Sequence, residues 1–166
     1  MPIGSAPVVE SCRRAEAGDL DRIAELARVM HDELRALKGG VTWNAREARP
    51  EPLEDSYGVL LGRDDACLVV GTIDDAVIGF GAAVIEPLRT GDRLGIVTDL
   101  FVEPEARAVG VGESMMSALL RFCDDAGCVG IDAWALPGHR DAKNFFEGSG
   151  FSARGIVMHR PQGATG

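Results

Sequence analysis

The sequence predicts a mixed α/β fold, with a sheet of about six to seven strands flanked by about four helices. Apolar residues between Leu20 and Leu37 recur at spacings of three and four, which is typical of an amphipathic helix. Between residues 67 and 104, short apolar runs alternate with turn residues, as in an antiparallel meander. A later strand–helix–strand order requires a crossover, so the fourth and fifth strands are expected to be parallel.

Each element follows from its own pattern. Strands are expected over residues 8–15, 67–73, 76–88, 94–104, 129–136 and 151–160. Helices are expected over residues 18–38, 52–62, 111–126 and 139–148, with a loop over 41–50. Gly39 and Gly40 end the first helix, and Gly148 and Gly150 end the last. The chain is expected to form a single domain over residues 1–166, with a core from about 8 to 160 and flexible ends.

Composition limits the classes of partner. The chain has 166 residues, with 17 basic and 26 acidic side chains and a formal net charge of −9. This acidic balance argues against nucleic acid or an anionic membrane as partner, because both require a basic surface. The apolar run 76–85 includes two glycines and is too short to cross a bilayer. We therefore expect a cytoplasmic protein.

The cysteines show no pattern of metal ligation. The chain has four of them, Cys12, Cys67, Cys123 and Cys128. They form no C-x-x-C pair, and their spacing from the histidines is not that of a metal site. We interpret them as reduced packing residues, and no metal site is predicted.

The stretch "EARAVGVGESMM", residues 105–116, joins a predicted strand to a predicted helix. The first turn of a helix has backbone N–H groups without internal partners and a partial positive charge. Gly110 and Gly112 allow a ligand to approach this backbone without meeting a Cβ atom. Together with the charge of Arg107, these features predict a site for phosphate or pyrophosphate.

Three kinds of phosphate loop compete for this stretch. A Walker A loop needs Gly-Lys-Ser/Thr, whereas this chain has Gly112-Glu113-Ser114, which excludes it. A dinucleotide fingerprint needs a third glycine, but Met115 occupies that position and the turn comes late in the chain. The remaining pattern, R-x-x-G-x-G between a fourth strand and a helix, resembles the pyrophosphate loop of the GCN5-related N-acetyltransferase (GNAT) family.

The resemblance covers about residues 8–160. "DLFVEPEARAVGVG" is similar to the family segment L-x-V-x-P-x-x-R-x-x-G-x-G, and "AKNFFEGSGF" to A-x-x-x-Y-x-x-x-G-F. The resemblance implies a GNAT fold, acetyl-CoA as co-substrate and transfer of an acetyl group to an amine. It also makes a homodimer a reasonable expectation, although no residue of the chain indicates one.

The resemblance also implies binding residues. Leu100, Phe101 and Val102 would offer backbone groups to the pantetheine arm, and the N–H of Val102 would polarise the thioester carbonyl. The pyrophosphate would be held by the amides of Arg107, Ala108, Val109, Gly110, Val111 and Gly112. Ser114 would add a hydroxyl contact or cap the helix. The thioester would lie where strands 94–103 and 129–136 diverge.

Two departures from the family pattern concern the last predicted helix. His139 falls at the family's asparagine position and is interpreted either as a cofactor contact or as a residue that begins the helix. Phe146 falls at the family's tyrosine, which protonates the departing thiolate, and phenylalanine has no proton to give. Lys143 is interpreted as a solvated side chain or a phosphate contact. Tyr57, the sole tyrosine, lies in a poorly defined helix and is a weak candidate for the missing acid.

Acetyl transfer also needs a base, since an aliphatic amine is mostly protonated at neutral pH. Asp99 interrupts an apolar strand beside the expected thioester and is the first candidate, acting through water. Glu103 is a weaker candidate, and Asp132 is interpreted as structural. The predicted function is N-acetylation of a small molecule, amino acid or peptide. Two alternatives remain open: a non-catalytic acyl-CoA-binding regulatory domain, and transfer to oxygen or of a longer acyl chain.

Overall fold

The computed structural model describes residues 10–107 and 110–163. The strands are β1 (Glu10–Arg14), β2 (Ala66–Ile73), β3 (Ala76–Pro87), β4 (Arg93–Val102) and β5 (Gly130–Ala133). The helices are α1 (Leu20–Arg35), α2 (Gly40–Arg46), α3 (Leu53–Leu61), α4 (Val111–Asp125) and α5 (Arg140–Gly148). Short 3-10 turns precede α1 at Ala17–Asp19 and follow β4 at Pro104–Ala106.

The sheet has the predicted mixed topology. Its order is β1-β2-β3-β4-β5, antiparallel from β1 to β4 and parallel between β4 and β5. The crossover through α4 produces this parallel pair, as the strand–helix–strand order predicts. In the described part of the chain the sheet has five strands, fewer than the expected six to seven, and there are five α-helices rather than four.

Helices cover both faces of the sheet. The α1/α3 core contains Ile23, Leu26, Leu53, Tyr57, Leu60, Phe80 and Phe101. The α4 core contains Val69, Ala83, Val97, Val111, Met115 and Leu119. Because strand side chains alternate between faces, neighbours such as Ala82 and Ala83 belong to different cores.

A β-bulge in β4 changes which face its side chains occupy. Ala82 pairs with Asp99, but Ala83 pairs with Val97, so Thr98 is the extra residue. Val97 lies in the α4 core, whereas residues beyond the bulge continue with the opposite alternation. The bulge therefore turns the Asp99 side chain towards α3.

The predicted strand over residues 151–160 is wrong, because this segment adopts no regular secondary structure. Ile156, Val157 and Met158 are 81%, 71% and 88% exposed. Strand propensity depends on a ladder partner and a packed face. Within the described chain this segment has no ladder partner, and of its apolar residues only Phe151 packs against the α4 core. The predicted strand 129–136 is also too long, since β5 ends at Ala133.

The predicted loop over 41–50 is wrong in its first half, where α2 forms. Gly39, with a φ of 81°, reverses the chain after α1, and α2 then begins at Gly40. A helix of seven residues is not stable by itself. Trp43, only 8% exposed, packs it against the α1/α3 core, a contact that the local sequence does not reveal.

The four cysteines are free, as their spacing predicts. Burial raises the pKa of the Cys123 thiol to about 12 and also raises that of Cys67, so both are protonated packing residues at neutral pH. No group of metal-ligating side chains occurs within residues 10–107 and 110–163. None of the described helices is long and apolar enough to cross a membrane.

Candidate active site

Beyond the bulge, one edge of β4 has no neighbouring strand among residues 10–107 and 110–163. Parallel pairing with β5 covers only Leu94–Val97, after which the two strands separate. On its other side β4 remains paired with β3, and Glu103 donates its N–H to the Ile78 carbonyl at 2.8 Å. Since hydrogen-bonded positions alternate in an antiparallel pair, the peptide groups of Leu100 and Val102 face the open edge. An extended ligand would find strand-like partners there.

Phe101 is placed differently from its neighbours. By the same alternation its peptide group faces β3, and its ring is 5% exposed in the α1/α3 core. Of the three residues that the resemblance assigns to the pantetheine arm, two therefore present main-chain groups to the open edge.

The glycine turn leads directly into α4. Gly110, with a φ of 86°, occupies the N-cap position, and Ser114 donates its N–H to the Gly110 carbonyl at 3.1 Å. The preceding amides, those of Val111 and Gly112 among them, have no partner within the helix. The N-cap residue is a glycine, and no side-chain capping bond occurs at this end among the described residues. Ala108 and Val109 lie outside the described residues.

Arg107 faces the α1 side of the turn. Its Nε donates to the Val102 carbonyl at 2.8 Å, and its Nη2 pairs with Glu33 of α1 at 2.9 Å. The guanidinium lies 5.2 Å above the Phe101 ring, within the range of a cation–π contact. Arg107 thus ties β4 to α1 and occupies one acceptor position of the Val102 carbonyl.

Asp99 lies at the centre of a buried polar cluster. The hydroxyl of Tyr57 donates to its Oδ1 at 2.7 Å, and the Thr98 hydroxyl and Arg49 Nε donate to Oδ2 at 2.8 and 3.2 Å. The Asp99 side chain is 4% exposed. Three hydrogen-bond donors, one of them cationic, thus surround this carboxylate.

Tyr57 is the residue that sequence reasoning undervalued. It is fully buried, and its ring packs edge-on against Phe80 with centroids 5.3 Å apart. Burial, together with the nearby Asp99 carboxylate, raises the pKa of the Tyr57 phenol far above its usual range. The available signal was that a lone tyrosine in an apolar helix needs a polar partner for its hydroxyl. Arg49, in the predicted loop, carried no such signal.

Glu103 lies at the end of β4, away from the Asp99 cluster. It accepts a 2.5 Å hydrogen bond from Arg22 Nη2 of α1, and its side chain is 33% exposed. This ion pair occupies the Glu103 carboxylate.

Helix α5 lies beside the glycine turn. Phe146 packs against Phe145 and Phe151, with ring centroids 6.1 and 5.6 Å away. A Cβ atom at Gly112 would lie 3.5 Å from the Phe145 ring, which places this aromatic group next to the first turn of α4. His139 is the N-cap residue of α5, the position that one of its two interpretations gives it.

Two other charged side chains near this end of the sheet already have partners. Lys143 pairs with Glu147 at 3.0 Å and is 65% exposed, in agreement with its interpretation as a solvated side chain. Asp132 of β5 accepts a bidentate contact from Arg154, consistent with a structural role. This pair holds the irregular segment after α5 against β5.

Comparison with known proteins gives one family. A model of the acetyltransferase (GNAT) family matches residues 23–151. A curated protein of Archaeoglobus fulgidus, named an uncharacterized N-acetyltransferase, is 26% identical over 136 residues, which are 81% of this chain and 87% of that protein.

Solved structures share the fold. Glucosamine-6-phosphate N-acetyltransferase from Arabidopsis thaliana has a TM-score of 0.68 and 21% identity, covering 93% of this chain and 99% of that chain. AAC(6')-Iy, in complex with the bisubstrate analogue CoA-S-monomethyl-acetylneamine, has a TM-score of 0.66 and 19% identity, covering 94% and 99%. The family match spans most of the chain, including β4, the glycine turn and α5. The protein therefore belongs to the GNAT family and is an acyltransferase.

Proposed function

We propose that the protein is an acetyl-CoA-dependent N-acetyltransferase that acts on the primary amine of a small molecule, amino acid or peptide. One observation carries this proposal: the open edge of β4 ends at the free amides of α4. Strand-like partners for an extended arm are thus followed by an anion site for its phosphates. The CoA-containing analogue bound to AAC(6')-Iy, which shares the fold, supports the same reading.

The proposed reaction is a direct transfer. The amine nitrogen attacks the thioester carbonyl carbon, the carbon–sulfur bond breaks, and the acetyl group moves to nitrogen. The sulfur leaves as a thiolate and takes up the proton that the nitrogen releases, so the products are an N-acetyl amine and CoA. The N–H of Val102, which faces the open edge, polarises the carbonyl oxygen. Because a thiol has a pKa of about 8.5, its thiolate can leave without a protein acid, so Phe146 is compatible with turnover.

Asp99 is the proposed base, acting through a water molecule. A carboxylate has about four acceptor positions, and Tyr57, Thr98 and Arg49 use three of them. The remaining position on Oδ1 is where a water would be held. In this proposal Asp99 relays the proton through that water rather than retaining it.

The test is thiol release from acetyl-CoA with a panel of amines. We expect the release rate to rise with a suitable amine and an N-acetyl product to appear by mass spectrometry. If acetyl-CoA binds but no amine in a broad panel is acetylated, the proposal is wrong and a binding or regulatory role is favoured. Parallel arms with longer acyl-CoA thioesters and with alcohols examine chain length and transfer to oxygen.

The role of Asp99 is tested separately. Asp99→Asn is expected to lower kcat/KM by about 10²- to 10⁴-fold, the usual contribution of acid–base catalysis. Asp125→Asn, the same change on the exposed end of α4, is the matched control and should remain within about twofold of wild type. An unchanged rate for Asp99→Asn, with its fold verified by urea unfolding, would remove Asp99 as the base.

A further inference from the structure

A cavity of about 290 Å³ lies beside the point where β4 and β5 separate. Its lining includes the apolar side chains of Trp43 of α2 and Val84 of β3, and Thr98 and Asp99 of the bulge. Since Thr98 directly follows the last residue of β4 that pairs with β5, the cavity adjoins the open edge. Its volume suits one small molecule, at the lower end of the range for ligand pockets.

The orientation of Arg49, which lines this cavity, is fixed by the protein. Its Nε donates to Asp99 and its Nη2 to the Thr98 hydroxyl at 3.1 Å, so one edge of the guanidinium is engaged. The guanidinium also lies 5.3 Å above the ring of Tyr57. These three contacts hold the plane of a side chain that is only 20% exposed.

The other edge of this guanidinium carries N–H donors without a partner in the described chain. A guanidinium carries five N–H groups, and Nη1 has no hydrogen-bond partner in the described part of the chain. The outer edge formed by Nη1 and Nη2 matches the two oxygens of a carboxylate in a planar, bidentate contact. Asp99, by contrast, is surrounded by three donors and has little capacity left for a ligand cation.

The charges of the lining indicate which oxyanion fits. Arg49 and Arg63 are balanced by Glu47 and Asp99, so the lining is formally neutral. A dianionic phosphate would remain uncompensated in such a cavity, whereas an ammonium and a carboxylate on one molecule match both signs. The apolar walls add room for a short hydrocarbon side chain.

We propose that the acceptor is a small amino acid, whose carboxylate binds the outer edge of Arg49 and whose amine points to the open edge of β4. This inference rests on the proposed acetyl transfer and names its substrate class. Asp99 and Thr98 then position Arg49, in addition to any role of Asp99 with the amine. Trp43 and Val84 favour apolar side chains.

The experiment compares amino acids with matched analogues that lack the carboxylate. Each amino acid is assayed beside its carboxamide and its decarboxylated amine. Because the pKa of the amine, and with it the reactivity, differs among the three compounds, the comparison uses KM rather than kcat. The best amino acid should have a KM about 10- to 100-fold lower than its two analogues, the range expected for a charged hydrogen-bonded pair. Equal KM values, or a lower KM for an aminophosphonate, would overturn the inference. Acetylation without any preference for a carboxylate leaves the proposed function intact, whereas no acetylation at all contradicts both.

Variants of Arg49 provide a second arm. Arg49→Gln removes a donor to Asp99 and is expected to lower kcat for all three compounds, but it should raise the KM of the amino acid relative to its two analogues by about 10- to 100-fold. Arg49→Lys keeps the charge but loses the planar fork, so an intermediate KM is expected and a wild-type KM would contradict the bidentate contact. Arg89→Gln, on the exposed β3–β4 turn, is the matched control.

A binding measurement without turnover completes the test. Titration calorimetry of the amino acids into the CoA-saturated protein should show binding that Arg49→Lys weakens. Absence of binding by every amino acid, in protein that binds CoA, would overturn the inference even if other amines are acetylated.

Discussion

Tyr57 of α3 donates its hydroxyl hydrogen to Asp99 of β4 across 2.7 Å, with both side chains buried. The bond forms because the bulge at Thr98 turns Asp99 onto the face that α3 covers. The bond joins α3 to β4, the strand whose open edge is the proposed binding site of the cofactor. The positions of the α3 helix and of the polar cluster are therefore coupled.

Stability should fall at alkaline pH because of Tyr57. Its folded pKa is raised, so the unfolded chain releases the phenolic proton above about pH 10 while the folded protein retains it. The contribution of Tyr57 to the free energy of unfolding is fully present below about pH 10 and is lost as the pH rises further. Relative to Tyr57→Phe, wild-type unfolding free energy should decline by about 1.4 kcal/mol per pH unit above pH 10.

Two measurements test this alkaline effect. Since the chain has one tyrosine, absorbance at the tyrosinate band reports Tyr57 alone, and the folded protein should show no tyrosinate where the unfolded chain does. Tyr57→Phe should also cost about 1 to 3 kcal/mol at pH 7, because Asp99 loses a donor. A tyrosine that titrates normally in the folded protein would contradict the buried bond.

His31 should weaken the fold at acidic pH. Its Nε2 is buried and has no hydrogen-bond partner in the described chain, and its ring lies edge-on to Trp43 with centroids 5.8 Å apart. Burial lowers the pKa of His31, so below about pH 6.5 the unfolded chain binds a proton that the folded protein does not. Stability present above pH 6.5 is thus lost as the pH falls.

Replacing His31 with an apolar residue isolates this acid effect. His31→Leu should lose less stability than wild type between pH 7 and pH 5 in urea unfolding, and the exposed His159→Gln should follow wild type. Parallel pH profiles for His31→Leu and wild type would show that His31 titrates equally in both states.

Gly112→Ala should separate cofactor binding from folding. The new Cβ would lie 3.5 Å from the Phe145 ring, an ordinary contact, so stability should stay near that of wild type. The same methyl group would crowd a phosphate at the α4 amides, so CoA affinity should fall about tenfold or more, the equivalent of one charge-assisted hydrogen bond. Pantetheine, which lacks the pyrophosphate, is the control ligand and should bind both proteins equally. A loss of pantetheine binding would instead indicate a general change of the site.

Gly71→Ala should destabilise the α4 side of the sheet. Its Cβ would lie 2.3 Å from Cγ1 of Val111, the first residue of α4, and overpacking of this kind costs about 1 to 3 kcal/mol. Gly148→Ala is the matched control, because nothing lies within 4 Å of its Cβ position. The double variant Gly71→Ala with Val111→Ala should recover part of the loss in urea unfolding. Equal stability of Gly71→Ala and Gly148→Ala would contradict the close approach.

Several features could be read from local patterns, and others could not. The helix from Leu20, the meander and the glycine turn before α4 follow from periodicity and turn chemistry within short windows. The segment after α5 has strand-like composition, yet it finds no ladder partner among the described strands. Trp43 provides the opposite case, since burial of its ring stabilises a helix in a segment that resembles a loop.

The sequence by itself determined most of the order of the elements and the glycine turn before α4, and it predicts an anion site there. These depend on residues close together in the chain, where backbone geometry and glycine placement act directly. Only the tertiary structure decided that Asp99 faces Tyr57 and that Arg49 presents donors to a cavity beside β4. A single bulge reverses the face of every residue after it, and such a change of register depends on pairing between strands rather than on local sequence.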